Sequence, residues 1–187
     1  MARTLHTDTV PSPAAMSPIL GPDNAGLRVA MHALVTWSTA TSSRERLMHE
    51  SGFPLPGDLP AFLLVNQLIY RGAVRPSDVA DAIQTGTSNI SKIVRRLEEA
   101  RIVRRMPDPR DDRAVVIVLT AEGRAVAQRI SDAIDRVSAP ATVGWTSEEF
   151  KLLESLMLKL VRSLDALPGA PLSTASGVSL GPKGRNL

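Results

Sequence analysis

Between Asn89 and Arg113 the sequence places eight cations, Lys92, Arg95, Arg96, Arg101, Arg104, Arg105, Arg110 and Arg113, against five anions, Glu98, Glu99, Asp108, Asp111 and Asp112. The local excess, 8 − 5 = +3, equals the formal charge of the whole 187-residue chain. Cations gathered inside a neutral remainder are the footprint of a segment that meets polyanions, because each can neutralise a phosphate and release its counterion. A charge run is as often a solvated face, so its placement on the fold decides between the two. The chemistry on offer is binding rather than catalysis: no nucleophile elbow, phosphate loop or metal-ligand spacing is present. His6, His32 and His49 are scattered singly, and the absence of cysteine excludes disulfides, thiol redox switches and thiolate metal sites. No cofactor and no enzymatic activity are expected.

The elements that position these charges follow from periodicity and punctuation. Apolar residues make up 43% of the chain but aromatics only 3%, so the core must be aliphatic. Leu27, Met31, Leu34, Val35 and Ser38 predict a long amphipathic helix over about 24–49, ended by "GFPLPG", and a second helix spans about Pro60 to Tyr70. "RPSDVADAI" starts a short third helix with Pro76 in its first turn, and "QTG" makes a tight corner. "TSNISKIVRRLEEA" then sets Ile90, Ile93, Val94 and Leu97 on one face and leaves Asn89, Lys92, Arg95 and Arg96 off it. Two short helices joined by such a corner, the second basic on its free face, predict a helix-turn-helix. Arg95 and Arg96 have Glu99, Asp78 and Asp81 as candidate ion-pair partners.

"RIVRRM" and "RAVVIVLT" predict a β-hairpin whose connection is the charged loop of "PDPRDDR". Thr120 caps a fifth helix carrying Val126, Ile130, Ile134 and Val137, with Gly123 as a close-packing point, and Pro140 ends it. Thr146 and Glu149 form a capping box for a sixth helix with the stripe Leu153, Leu156, Met157, Leu160, Val161 and Leu164, too long for one lobe to cover. Breaker-rich tails are expected to be flexible at 1–22 and 167–187. No apolar run approaches the ~20 residues of a membrane span, so a soluble, cytoplasmic protein without a membrane partner is expected.

The order helix-turn-helix, then hairpin, is that of a winged helix. The segment from about Arg75 to Gly123 resembles the multiple antibiotic resistance regulator (MarR) family of transcription factors. The residues that carry the likeness are "SNISKIVRRLEEARIVRR", followed by Asp111-x-Arg113, Leu119-Thr120 and Gly123. With the flanking helices it covers about residues 24–166. The resemblance implies a mainly helical fold: a winged helix at about 57–120 with a small antiparallel β-hairpin wing, inside a domain of 23–166. Long dimerisation helices at about 24–49 and 120–166 would flank it. It also implies a homodimer on pseudo-palindromic operators in double-stranded DNA, often a repressor released by a small aromatic or lipophilic ligand.

Carried onto this chain, the resemblance assigns DNA contact to Thr87, Ser88, Asn89, Lys92 and Arg95 on the second helix and to Arg105, Arg110, Asp111 and Arg113 on the wing. Asp111 would orient the Arg113 guanidinium for the minor groove. His32 and Trp37, about one turn apart, are candidates to line an effector crevice, with core or dimer interface as the other reading of Trp37. The chain departs from the family in three places. Arg75 stands where a Ser or Thr helix cap is common, Gly86-Thr87 replaces Ser-Pro, and Arg101 replaces a glycine at a left-handed turn. The competing reading, a winged-helix module that works through protein contacts without DNA, would call for an acidic or apolar second helix.

Overall fold

A computed structural model describes residues 16–20 and 26–168, so the expected tails lie largely outside the described residues. Backbone contacts divide the chain into two units, residues 1–43 and 44–187. The first contains α1, Leu27–Thr39, which buries no residue and leaves Leu27, Met31, Leu34, Val35 and Trp37 exposed. The single helix expected over 24–49 is interrupted at Ala40, whose backbone is extended (φ −59°, ψ 138°), and resumes as α2, Thr41–Glu50. Hydroxyls explain the break. Ser38 Oγ and Thr39 Oγ1 both donate to the Val35 carbonyl, at 3.0 and 2.7 Å, and such bonds compete with the helical ladder.

In the second unit α2 ends at Gly52, which adopts φ +58° so that the Gly52 and Phe53 N–H groups can reach back to His49 and Met48. Asp58 then caps α3, Leu59–Arg71, by accepting the Ala61 N–H at 3.1 Å, with Pro60 in the first turn. β1 (Ala73–Val74), α4 (Pro76–Ala82), α5 (Thr87–Glu99), β2 (Val103–Asp108), β3 (Asp111–Leu119), α6 (Ala121–Ser138), a 3-10 turn (Ala139–Thr142) and α7 (Ser147–Asp165) follow. The core is aliphatic, as composition requires. Phe62, Leu64 and Leu68 of α3 pack with Ile90, Ile93 and Leu97 of α5, Ile102, Ile117 of β3 and Ile130 of α6, each at most 1% exposed. Burial of each such side chain contributes about 1.5–3 kcal/mol.

The strands form one antiparallel sheet in the order β1-β3-β2. The two-residue β1, paired with Val118 and Ile117, is too short to leave a periodic signal and was absent from the expected hairpin. The hairpin also runs further than expected: Pro107, Asp108, Asp111 and Asp112 belong to strands, and only Pro109 and Arg110 remain as the turn. α6 is set on the hairpin by the expected cap, Thr120, whose Oγ1 accepts the Gly123 N–H at 2.9 Å. α7 starts at the Thr146–Glu149 capping box. It buries no residue, and Phe150, Leu153, Leu156 and Met157 are each between 41 and 54% exposed. Among the described residues no helix is long and apolar enough to cross a membrane.

Candidate nucleic-acid interface

α4 and α5 meet at a corner where Gln84 takes the left-handed conformation (φ 53°). Its N–H bonds to the Asp81 carbonyl and that of Thr85 to the Ala80 carbonyl, closing α4 abruptly. Gly86 is the N-cap of α5 and supplies no side-chain bond, and Arg75 likewise makes no cap bond for α4. Asn89 Nδ2 instead donates to Thr85 Oγ1 at 2.9 Å, fastening the first turn of α5 to the corner. With Ile90, Ile93, Val94 and Leu97 buried, the opposite face of α5 presents Thr87, Ser88, Ser91, Lys92 and Arg95 to solvent. Ser91 adds to the polar face expected from sequence, and its place one helical turn from both Ser88 and Arg95 is the signal for it.

α5 is closed off at Arg101, where the family pattern that the sequence resembles has a glycine. Arg101 adopts φ 58°, with its N–H on the Glu98 carbonyl and that of Ile102 on the Leu97 carbonyl, so the corner a glycine would make is made here by arginine. The hairpin that follows brings the wing residues beside α5. Arg105 is tied to Glu98 at 2.7 Å and Arg95 to Glu99 at 2.9 Å, the latter pairing among those expected. Arg96 pairs with none of Glu99, Asp78 or Asp81: its Nε and Nη2 donate to Asp58 at 2.6 and 3.0 Å. The register of α5 on α3 brings the N-cap of α3 under this guanidinium. Burial pushes the Asp58 carboxyl up, but the Arg96 and Ala61 hydrogen bonds and the Arg96 charge outweigh it and hold the group below 3.8.

The wing corrects one expectation. Asp111 does not grip the Arg113 guanidinium. Its Oδ1 accepts the Arg113 backbone N–H at 3.2 Å, and its Oδ2 lies 3.6 Å from Arg75 Nη2. A short Asp side chain beside a turn reaches the N–H two residues on more readily than a long side chain folds back to it. Asp108, 6% exposed, accepts the Arg110 N–H at 2.9 Å and the Arg75 guanidinium, and these two contacts hold its carboxyl below the usual range. Among the described residues Lys92, Arg104, Arg110 and Arg113 form no ion pair, which leaves these four cations of α5 and the wing available to an outside anion.

His32 and Trp37 are both exposed on α1. An apolar cavity of about 450 Å³ lies elsewhere, at the corner of α2 and α3, lined by Glu45, Met48, His49, Phe53, Pro56 and Leu59. Its aromatic wall is stiffened by an edge-to-face contact of Phe53 with Phe62, ring centres 5.4 Å apart. His49 therefore faces a cavity, which its isolated position in the sequence did not signal.

A helix-turn-helix whose second helix is basic on its free face, followed by a hairpin wing, defines a winged-helix DNA-binding protein. Residues 62–123 match the family described as a winged helix DNA-binding domain. Over 106 residues the chain is 26% identical to the HTH-type transcriptional regulator MgrA of Staphylococcus aureus, covering 57% of this chain and 71% of that one. Over 104 residues it is 25% identical to the uncharacterized HTH-type transcriptional regulator YwaE of Bacillus subtilis (strain 168), covering 56% of this chain and 61% of that protein. Its fold is similar to that of a MarR family protein from Bacillus stearothermophilus, with a TM-score of 0.57 at 20% identity over 73% of this chain and 94% of that one. Wild-type MarR of E. coli in its apo form gives a TM-score of 0.53 at 21% identity over 72% and 96%. Residues 62–123 are thus a winged-helix DNA-binding domain, the chain's fold is the one those MarR structures share, and the curated relatives the chain matches are transcriptional regulators.

Proposed function

We propose that the protein is a homodimeric, sequence-specific regulator acting on pseudo-palindromic operators in cytoplasmic DNA, as a repressor released by a small aromatic or lipophilic ligand. The observation that carries the reading is the exposed face of α5, where Ser88, Asn89 and Lys92 stand beside a wing that carries Arg110 and Arg113. α5 enters the major groove; Ser88, Asn89 and Lys92 meet base edges and phosphates, and Thr87 offers its N–H to a phosphate at the helix N-terminus. Arg113 enters the adjacent minor groove, where the negative potential favours guanidinium. Arg95 and Arg105 exchange Glu99 and Glu98 for phosphates on binding, a near-neutral swap because exposed ion pairs contribute little.

Counterion release sets the test. Log affinity for an operator duplex should fall by about 0.9 per phosphate contact per unit of log salt. Lys92→Ala should lower affinity and reduce that slope by about one, and Arg113→Ala should cost about 1–3 kcal/mol. Affinity that is flat from low to high salt would sink the reading in favour of the protein-interaction module.

The dimer reading is supported by the apolar stripe of α7, where Phe150, Leu153, Leu156 and Met157 are each between 41 and 54% exposed. Sedimentation at low micromolar concentration should give twice the chain mass of 20.1 kDa, and a single species at the monomer mass would refute this part. Ligand response is supported by the cavity at the corner of α2 and α3, whose size suits a small ligand and whose Phe53 and His49 suit an aromatic one. His32 and Trp37 remain the other candidates for contact with the effector. A thermal-shift screen of small aromatics, repeated with operator present, separates ligands that stabilise the free protein and release DNA from those that do neither.

A further inference from the structure

Arg75 occupies the N-cap of α4, where a Ser, Thr, Asp or Asn would satisfy a backbone N–H, and it makes no such bond. Its guanidinium turns instead to the wing. Nε donates to Asp108 Oδ2 at 2.7 Å, Nη2 lies 2.6 Å from the same oxygen, and Nη2 lies 3.6 Å from Asp111 Oδ2. Asp108 is the last residue of β2, and its other oxygen holds the Arg110 N–H at 2.9 Å. One carboxylate thus closes the wing's turn and receives the tether. The β2–β3 register shifts between Pro107 and Asp108, so the tether grips the hairpin where its regular ladder ends. Beside it lies a polar cleft of about 500 Å³ bounded by Arg71, Ala73, Asp78 and Val116, across which this ion pair joins the wing to the residue ahead of α4.

We infer that Arg75 is a positioning residue for DNA binding: by holding Asp108 and Asp111 it fixes the height and angle of the wing tip relative to α5. The inference rests on the DNA-binding reading above. A two-stranded ribbon beyond the reach of β1 is marginally ordered by itself. Freedom removed in the free protein is not lost again on binding, so a tethered wing presents Arg110 and Arg113 at a lower entropic cost. An arginine in place of a helix cap weakens α4 at its first turn and stiffens the element that follows two helices later.

The experiment uses the full chain and a duplex of about 30 base pairs enriched from a random library by binding to the wild type. Affinity is measured by fluorescence anisotropy at fixed salt for Arg75→Ser, Arg75→Lys, Asp108→Asn and the Arg75→Ser/Asp108→Asn pair, with Arg75→Ser repeated in an Arg113→Ala background. Asp108→Asn removes a negative charge near DNA, so electrostatics alone predicts tighter binding, whereas loss of the tether predicts binding weaker by about ten-fold. Arg75→Ser should lose a similar factor, Arg75→Lys less, and the double variant no more than either single one. In the Arg113→Ala background Arg75→Ser should cost less than about two-fold, because a misplaced wing has little left to lose. In the free protein, amide exchange should quicken at the wing in Arg75→Ser while the global melting temperature moves little, a readout that needs no DNA. Equal or tighter binding by Asp108→Asn overturns the tether, as does an Arg75→Ser loss that adds in full to that of Arg113→Ala, which would make Arg75 a phosphate contact. If the wild type enriches no duplex, the DNA-binding reading fails and the inference with it.

Discussion

Gly123→Ala is expected to be among the most destabilising single-methyl changes in this chain. A Cβ built on Gly123 would lie 1.9 Å from the Ile102 carbonyl oxygen and 2.9 Å from its carbonyl carbon. Those are backbone atoms, so no rotamer change relieves the clash; either α6 or the corner between α5 and β2 must move. That corner is fastened at several points to the start of α6. The Thr120 N–H donates to the Ile102 carbonyl at 3.0 Å, Thr120 Oγ1 donates to the Arg101 carbonyl, and the same oxygen accepts the Gly123 N–H. Moving one partner lengthens all of these bonds and opens the packing of Ile102, which is 1% exposed. Overpacking typically costs 1–3 kcal/mol and each lost hydrogen bond about 1, so a loss of roughly 3 kcal/mol is expected. For a domain of this size that lowers the melting temperature by about 6–12 °C. Arg124→Ala, exposed on the next residue, serves as the control and should stay within about 0.5 kcal/mol. Melting of Gly123→Ala within 2 °C of wild type would show that the corner is softer than its hydrogen bonds imply.

What the sequence revealed and what it hid divide by distance along the chain. The apolar face of α5, the Thr120 cap and the Thr146–Glu149 capping box all depend on residues a few positions apart. Hydrogen-bond geometry and helical period make those legible. Arg96–Asp58 and Arg75–Asp108 join residues 38 and 33 positions apart, and only the register of α5 on α3 and of the wing on α4 brings them together. The reading of "PRDDR" failed for the same reason. The resemblance pairs Asp111 with Arg113 inside the loop, while the folded chain directs Asp108 and one oxygen of Asp111 to an arginine ahead of α4. The break at Ala40 is local and still not legible in the spacing, because Ser38 reads as one more position of the helical period while its hydroxyl and that of Thr39 compete for the Val35 carbonyl.

The second large effect is expected at Asp58, where one carboxylate serves two elements. Its Oδ1 caps α3 through the Ala61 N–H and also accepts from Arg96 Nη2, and its Oδ2 takes the Arg96 Nε. Asp58→Ala removes the cap, worth about 1 kcal/mol, and leaves the Arg96 guanidinium without its acceptor. The Arg96 side chain is 42% exposed, so water recovers part of the second loss, and a total near 2 kcal/mol is expected after that discount. Asp58→Asn keeps an oxygen for the cap and should lose roughly half as much. The two contributions separate by pH. Asp58 in the folded chain titrates below its ordinary 3.8, so it binds fewer protons folded than unfolded at mildly acidic pH. Its charge-dependent stabilisation is complete above the unfolded value and is lost as pH falls through the folded one. The stability gap between wild type and Asp58→Asn, measured by urea unfolding, should therefore be constant from pH 7 to about 5 and shrink below about 4, while the gap between Asp58→Asn and Asp58→Ala stays level. A wild-type advantage over Asp58→Asn that persists undiminished at pH 3 would mean that shape, and not the charge shared with Arg96, is what holds α5 to the start of α3.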